Sequence, residues 1–198
     1  MTRSVDFLFD YGSPAAYLAW TQLGKLAADT GATVVMKPIL LGGVFQSTGN
    51  RAPITVPAKG SYLFKDLNRY AKAYGVPLAL NPHFPINTIT LMRIDVALSL
   101  AGDARLDAYR SAVFNGVWAE QKNMGDAATV AAVLAPAGFE PDELAEMAAD
   151  PRVKETLKTW TQEAVDRGVF GAPTFFVGDE MFWGQDRLDF VRAALTTN

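Results

Sequence analysis

Phe9-Asp10-Tyr11-Gly12-Ser13-Pro14-Ala15-Ala16 is the stretch on which the fold turns. It follows Val5-Asp6-Phe7-Leu8-Phe9, whose aromatic and β-branched content reads as a strand. Asp10-Tyr11-Gly12 reads as a turn and Ser13-Pro14 as a helix start. A serine hydroxyl caps the first free N–H groups, and proline suits the first helical position. Ala19, Leu23 and Leu26 then line one helical face until Gly31 ends the run. Thr33-Val34-Val35-Met36 gives a second strand, closed by Pro38. Strand, helix, strand is a βαβ unit, so the two strands are expected to be parallel with a right-handed crossover.

Downstream the pattern changes. Pro53, Pro57, Gly60, Pro77, Pro82 and Pro85 punctuate a loop-rich region that then becomes helical. Leu63, Leu67, Tyr70 and Tyr74 make one helical stripe, Leu91, Ile94 and Leu98 another, and Tyr109, Val113 and Val117 a third; all read as core packing. Further helices are predicted to start near Asp126, Pro141 and Pro151, and no strand pattern occurs between Tyr62 and Arg167. After Gly168 strands return. Thr174-Phe175-Phe176-Val177 and Met181-Phe182-Trp183 flank the hairpin signal Gly178-Asp179-Glu180, and a last helix carries Leu188, Val191 and Leu195. The order is βαβ, a helical block, then ββα. It predicts an α/β, thioredoxin-like domain made of residues 1–40 and 168–198, interrupted by an all-helical insertion domain over 41–167.

Composition narrows the function. The chain has 198 residues, 49% of them hydrophobic, and a net charge of −3 without a basic cluster, which argues against a nucleic-acid partner. No apolar run approaches the roughly 20 residues that span a bilayer, so no membrane partner is expected. Met1-Thr2-Arg3-Ser4-Val5 runs into the strand pattern without a signal-peptide core, and the expected location is the cytoplasm. There is no cysteine, which excludes disulfides, a protein thiolate and cysteine metal sites; with His83 the only histidine, no metal site is expected.

Three stretches can carry chemistry. Ser13 is either a helix cap alone or a hydroxyl at the positive end of a helix, where an anion such as a thiolate is stabilised. It also follows the carboxyl end of the first strand, where ligands of α/β sheets collect. Gly171-Ala172-Pro173-Thr174 places a proline just before a strand; only about 5–6% of such bonds are cis. A cis bond would offer the Ala172 N–H and C=O to an extended peptide. Trp183-Gly184-Gln185-Asp186-Arg187 opens the last helix. There Gln185 or Asp186 either caps the helix or, with the helix-start N–H groups, receives the charged amino-acid end of a ligand.

Taken together, these segments resemble the 2-hydroxychromene-2-carboxylate isomerases, relatives of kappa-class glutathione transferases and of DsbA-like disulfide oxidoreductases. The resemblance spans nearly the whole chain. Phe9 through Leu18 carry it, with Leu40-Leu41-Gly42-Gly43-Val44-Phe45 leading to Gly49-Asn50-Arg51, then Phe170 through Thr174 and Phe182 through Leu188. It implies a thioredoxin-like domain with a helical insertion, a homodimer, glutathione as cofactor and a small aromatic substrate. It further implies that Ser13, beside Pro14, holds the glutathione sulfur where a redox relative has its first cysteine, with Ala16 at the second. Asn50 would meet the glycine end, Ala172 and a cis Pro173 the cysteinyl backbone, and Gln185 and Asp186 the γ-glutamyl end. The family reaction is a reversible sulfur addition that lets a ring open and a double bond isomerise.

On the substrate side, Phe45, Phe84 and Trp118 are candidate aromatic walls, or core residues. Arg51 is a candidate carboxylate partner, or a surface arginine. His83, in Asn81-Pro82-His83-Phe84-Pro85, is a locally satisfied loop residue or a proton donor. A kappa-like transferase or peroxidase that consumes glutathione stays open, as does a non-catalytic glutathione-binding module. The magnitudes suffice for the thiolate. A hydroxyl bond to an anion contributes about 1.5–3 kcal/mol and a helix N-terminus about 0.3–1 kcal/mol. After partial desolvation about one to two pKa units remain, enough to bring a thiol of pKa about 8.5 near neutrality.

Overall fold

The computed structural model describes residues 3–197; Met1, Thr2 and Asn198, at the outer ends of the expected thioredoxin-like segments, lie outside the described residues. Strand β1 (Ser4–Phe9), helix α1 (Pro14–Thr30) and strand β2 (Thr33–Pro38) form the expected βαβ unit, with β1 and β2 parallel from Ser4↔Thr33 to Phe9↔Pro38. Local chemistry sets the bounds of α1. The Ser13 hydroxyl accepts the Ala16 N–H, Pro14 opens the helix, and Gly31, at φ 67°, returns its N–H to Ala27 O. Strands β3 (Thr174–Val177) and β4 (Glu180–Trp183) form the hairpin, with β3 antiparallel to both β1 and β4, giving the sheet order β2-β1-β3-β4.

Between the two halves lie α2 (Leu41–Thr48), a 3₁₀ turn (Pro53–Thr55), α3 (Pro57–Tyr74), α4 (Ile89–Ala101), α5 (Leu106–Trp118), α6 (Ala127–Leu134), a second 3₁₀ turn (Ala135–Ala137), α7 (Pro141–Ala149) and α8 (Pro151–Asp166). The three stripes read from the sequence fall on α3, α4 and α5, and the expected starts at Asp126, Pro141 and Pro151 are those of α6, α7 and α8. Helix α2 lies at the start of the expected insertion, ahead of the loop-rich region, where no individual helix is read from the sequence. Gly42-Gly43 lowers its intrinsic helix preference, but tertiary contacts compensate. Thr161 Oγ1 of α8 accepts the Leu40 N–H at 2.9 Å, and its methyl lies 3.3 Å from where a Gly43 Cβ would stand. The chain ends in a 3₁₀ turn (Gln185–Arg187) and α9 (Leu188–Thr196). No side chain caps either, so neither Gln185 nor Asp186 is spent as a helix cap.

Sheet and insertion share one apolar cluster, reaching from Phe7 and Phe9 through Tyr11 and Phe114 to Leu134 and Leu157. Phe114 of α5 lies 4.7 Å from Tyr11 and 5.6 Å from Phe9, ring centre to ring centre. Each fully buried ring of this size contributes about 1.5–3 kcal/mol, so the helices seal one end of the sheet. A polar lock crosses this core. Arg110 grips Asp95 with Nε at 3.0 Å and Nη2 at 2.8 Å, and Tyr11 donates its hydroxyl to Asp95 at 2.5 Å. Trp118 donates its indole N–H to Tyr11 O at 2.8 Å. The turn before Ser13 is thereby fixed from below. No helix among the described residues is long and apolar enough to cross a membrane.

Candidate active site

The turn after β1 is held by Asp10, which is only 3% exposed. Its Oδ1 accepts the Gly12 N–H at 2.8 Å and the Thr88 hydroxyl at 2.7 Å; its Oδ2 accepts the Leu41 N–H at 2.9 Å. One carboxylate therefore ties together the Ser13 turn, the start of α2 and the residue that precedes α4. Burial pushes its pKa up, and the three donors pull against that without cancelling it. Above it, Ser13 is 4% exposed and uses both functions of its hydroxyl. It accepts from Ala16 N at 3.1 Å and donates to Ala172 O at 2.9 Å. The α1 N-terminus and the loop before β3 thus meet at one oxygen.

That loop is shaped by close approach. Ala172–Pro173 is cis, as expected; Phe84–Pro85 is also cis, which was not expected. A Cβ on Gly171 would lie 2.6 Å from Trp183 Nε1, so glycine lets the indole rest on the loop. Gly184 has φ 103° and donates to Pro173 O at 3.0 Å; a Cβ there would meet the Asp186 carboxylate. Asp186 pairs with Arg187, and Tyr74 donates to Gln185 O at 3.1 Å. Burial, then the neighbouring Tyr70, Asp189 and Asp186, push the Tyr74 hydroxyl up to about 12, so it remains a donor. On the other side, Asn50 Nδ2 donates to Phe170 O at 2.8 Å while its Oδ1 accepts the Arg51 N–H at 2.8 Å.

These segments enclose a cavity of about 670 Å³, within the range of about 300–1,000 Å³ common for small-molecule sites. Ser13, Pro14, Phe45, Asn50, Arg51, Phe84, Ala172, Pro173, Gln185 and Asp186, singled out from widely separated parts of the sequence, all line it. Trp118 does not. It is fully buried, 5.5 Å behind Phe84, with its N–H spent on Tyr11, and is a core residue rather than a wall. His83 is exposed outside the cavity, its N–H on Asn81 Oδ1 at 2.9 Å. Sequence reading missed Lys59, Phe64, Phe170 and Trp183 as lining residues. Lys59 stands at the start of α3, inside the stretch read as loop, so no register was available to aim it at Arg51's side of the site. Phe170 was quoted only as part of the family pattern, and Trp183 as the end of a strand and the start of the last segment, neither as a cavity wall. Arg51 and Lys59 take part in no ion pair among the described residues, whereas Asp66, also in the lining, is held by Arg69 at 2.9 Å.

Residues 4–196 match the model of the DsbA-like thioredoxin domain. This chain belongs to that family. Within it, the chain is 37% identical over 194 residues to a 2-hydroxychromene-2-carboxylate isomerase of Pseudomonas putida, covering 96% of this chain and 93% of that protein. It is 27% identical over 199 residues to glutathione S-transferase kappa 1 of Caenorhabditis elegans, with 94% and 88% covered. A solved 2-hydroxychromene-2-carboxylate isomerase structure superposes with a TM-score of 0.83 at 36% identity, over 97% of this chain and 94% of that one. This DsbA-like chain contains no cysteine.

Proposed function

We propose that the chain is a cytoplasmic, homodimeric, glutathione-dependent isomerase acting on 2-hydroxychromene-2-carboxylate or a closely related intermediate of aromatic catabolism. One observation carries the reading: in a cysteine-free chain, the Ser13 hydroxyl at the start of α1 bonds to Ala172 O at 2.9 Å in the wall of a tripeptide-sized cavity. The names of the isomerase relatives support the reaction, and those of the kappa transferases support the cofactor.

The residues fit glutathione from end to end. Asn50 and Lys59, the latter in no ion pair among the described residues, line the cavity and suit the glycine carboxylate; Asp186, also in the lining, suits an ammonium. Bound there, glutathione would supply a thiolate that adds reversibly to an activated double bond. Ser13 holds that sulfur. Its hydroxyl has one proton to give, now donated to Ala172 O. Turning it to the sulfur frees the Ala172 carbonyl for an N–H of the extended ligand, so both the Ser13 proton and the Ala172 carbonyl stay paired. The Ala16 N–H stays on Ser13 Oγ throughout and keeps the oxygen in place. Phe45 and Phe84 give the substrate ring an apolar wall, and Arg51 faces its carboxylate.

Calorimetry and the ultraviolet absorbance of bound thiolate test this together. Glutathione binds the wild type at millimolar concentration or below. Ser13→Ala keeps affinity within about tenfold but raises the bound thiol pKa by about one to two units. Absence of binding, or an unchanged thiol titration, overturns the assignment. Mass spectrometry of the products separates isomerisation from the kappa-like alternative, which the transferase relatives favour: a stable conjugate or oxidised glutathione would mean that glutathione is consumed.

A further inference from the structure

The aromatic residues around the cavity are not equivalent. Phe45, Phe64 and Phe84 are half-buried, and Phe64 and Phe84 already hold each other edge to face at 6.0 Å. Phe170 and Trp183 line the same cavity but stay 36% and 47% exposed, as a tilted pair with ring centres 5.1 Å apart. Neither belongs to the core clusters. Two contacts fix where the pair stands. The indole edge lies against Gly171, the neighbour of Ala172, whose carbonyl holds the Ser13 hydroxyl. Phe170 is tied through its carbonyl to Asn50. The indole therefore rests one residue, and Phe170 stands two residues, from Ala172, whose carbonyl marks the Ser13 hydroxyl.

We propose that Phe170 and Trp183 form the subsite that receives an aromatic group seated beside the sulfur, and that Trp183 determines the preference for ring-bearing ligands. The proposal rests on the glutathione reading above and assigns to Trp183 the wall that Trp118 is too deeply buried to provide. A half-exposed ring gains most when a second ring covers it. The already buried faces of Phe64 and Phe84 have less left to gain, because little of their surface remains in contact with water. Glycine at 171 is part of the device, since any side chain there would push the indole off the loop.

The test uses the intact protein and two probes, S-methylglutathione and S-benzylglutathione, with affinities measured by calorimetry. The wild type binds the benzyl compound more tightly, and binding alters Trp183 fluorescence. Trp183→Ala lowers the benzyl-to-methyl affinity ratio about tenfold while leaving S-methylglutathione within about threefold. Trp183→Phe, which keeps a ring, retains most of the preference. Phe170→Ala, on the other segment, lowers the ratio independently should Trp183→Ala fold poorly. An unchanged ratio in the alanine variants overturns the proposal while the glutathione reading stands. Failure of both probes to bind the wild type overturns the glutathione reading and this assignment with it.

Discussion

Two buried carboxylates flank the turn that leads to Ser13, and they are held in opposite ways. Asp95 is completely buried and faces a charge, the guanidinium of Arg110, with the hydroxyls of Tyr11 and Ser99 as further donors. Asp10 is almost as deeply buried but faces only neutral donors, two backbone N–H groups and the Thr88 hydroxyl. The partners of Asp95 lie on α4, α5 and the turn itself, far inside the helical block. Those of Asp10 all touch or adjoin the cavity, since Gly12 and Leu41 line it and Thr88 packs on Gly12. The contrast assigns them different work: Asp95 holds the insertion against the sheet, while Asp10 sets the shape of the ligand site.

The largest effect should come from breaking the charged pair on one side only. Arg110→Leu leaves Asp95 buried without its partner, and removing one member of a buried ion pair costs about 3–5 kcal/mol. Denaturant unfolding measures that loss. The protein that remains folded should bind glutathione with wild-type affinity; an affinity that falls along with stability would mean that the two carboxylates do not divide the work. Asp10→Ala is the complementary break. It frees three donors, each costing about 1–3 kcal/mol only if it stays dry. The Thr88 hydroxyl can rotate, and the Gly12 and Leu41 N–H groups border the cavity, where water reaches them, so the loss is smaller than for a stranded charge. Yet it releases the Ser13 turn from α2, so glutathione affinity per folded molecule should fall about tenfold. Unaltered affinity in that variant would remove Asp10 from the site.

The same contrast explains what could be read before the fold was known. β1, α1 and β2 were legible because their signals are local: runs of aromatic and β-branched residues, a Ser-Pro start and a Gly stop lie within a few residues of what they determine. The Ser13, Ala172 and Asp186 segments were legible as a family pattern, and the cavity does bring them together. What the sequence concealed depends on partners distant in the chain. Nothing in Gly42-Gly43 announces a helix, because Thr161, more than a hundred residues on, supplies its support. Trp118 and Trp183 look alike as letters. One is sealed behind Phe84 and the other is left open against Gly171 by packing that no local rule contains. Lys59 was missed for the same reason, its direction set by where α3 docks.

The smallest effect is the sharpest discriminator, because it depends on sign. Burial raises the Asp10 pKa above its ordinary value of 3.8. The folded state therefore holds that proton more tightly than the unfolded chain. The stability this provides is fully present below the unfolded pKa and is lost as pH rises through the folded one. Exposed carboxylates run the other way. Asp103 is held at about 2, chiefly by the hydrogen bond from Arg105, and Glu143 and Asp150 are also lowered by their arginine partners, so their contributions disappear as pH falls. These opposing slopes are common to wild type and Asp10→Asn and cancel in the difference between them. Asparagine keeps an oxygen for Gly12 and Thr88 but turns an amide toward the Leu41 N–H, a fixed cost at every pH. Stability measured by denaturant from about pH 3 (below the unfolded aspartate value of about 3.9) upward should show the wild-type advantage shrinking as pH rises. An advantage that grows with pH would mean that Asp10 is held chiefly as an anion, and its contrast with the arginine-paired Asp95 would collapse.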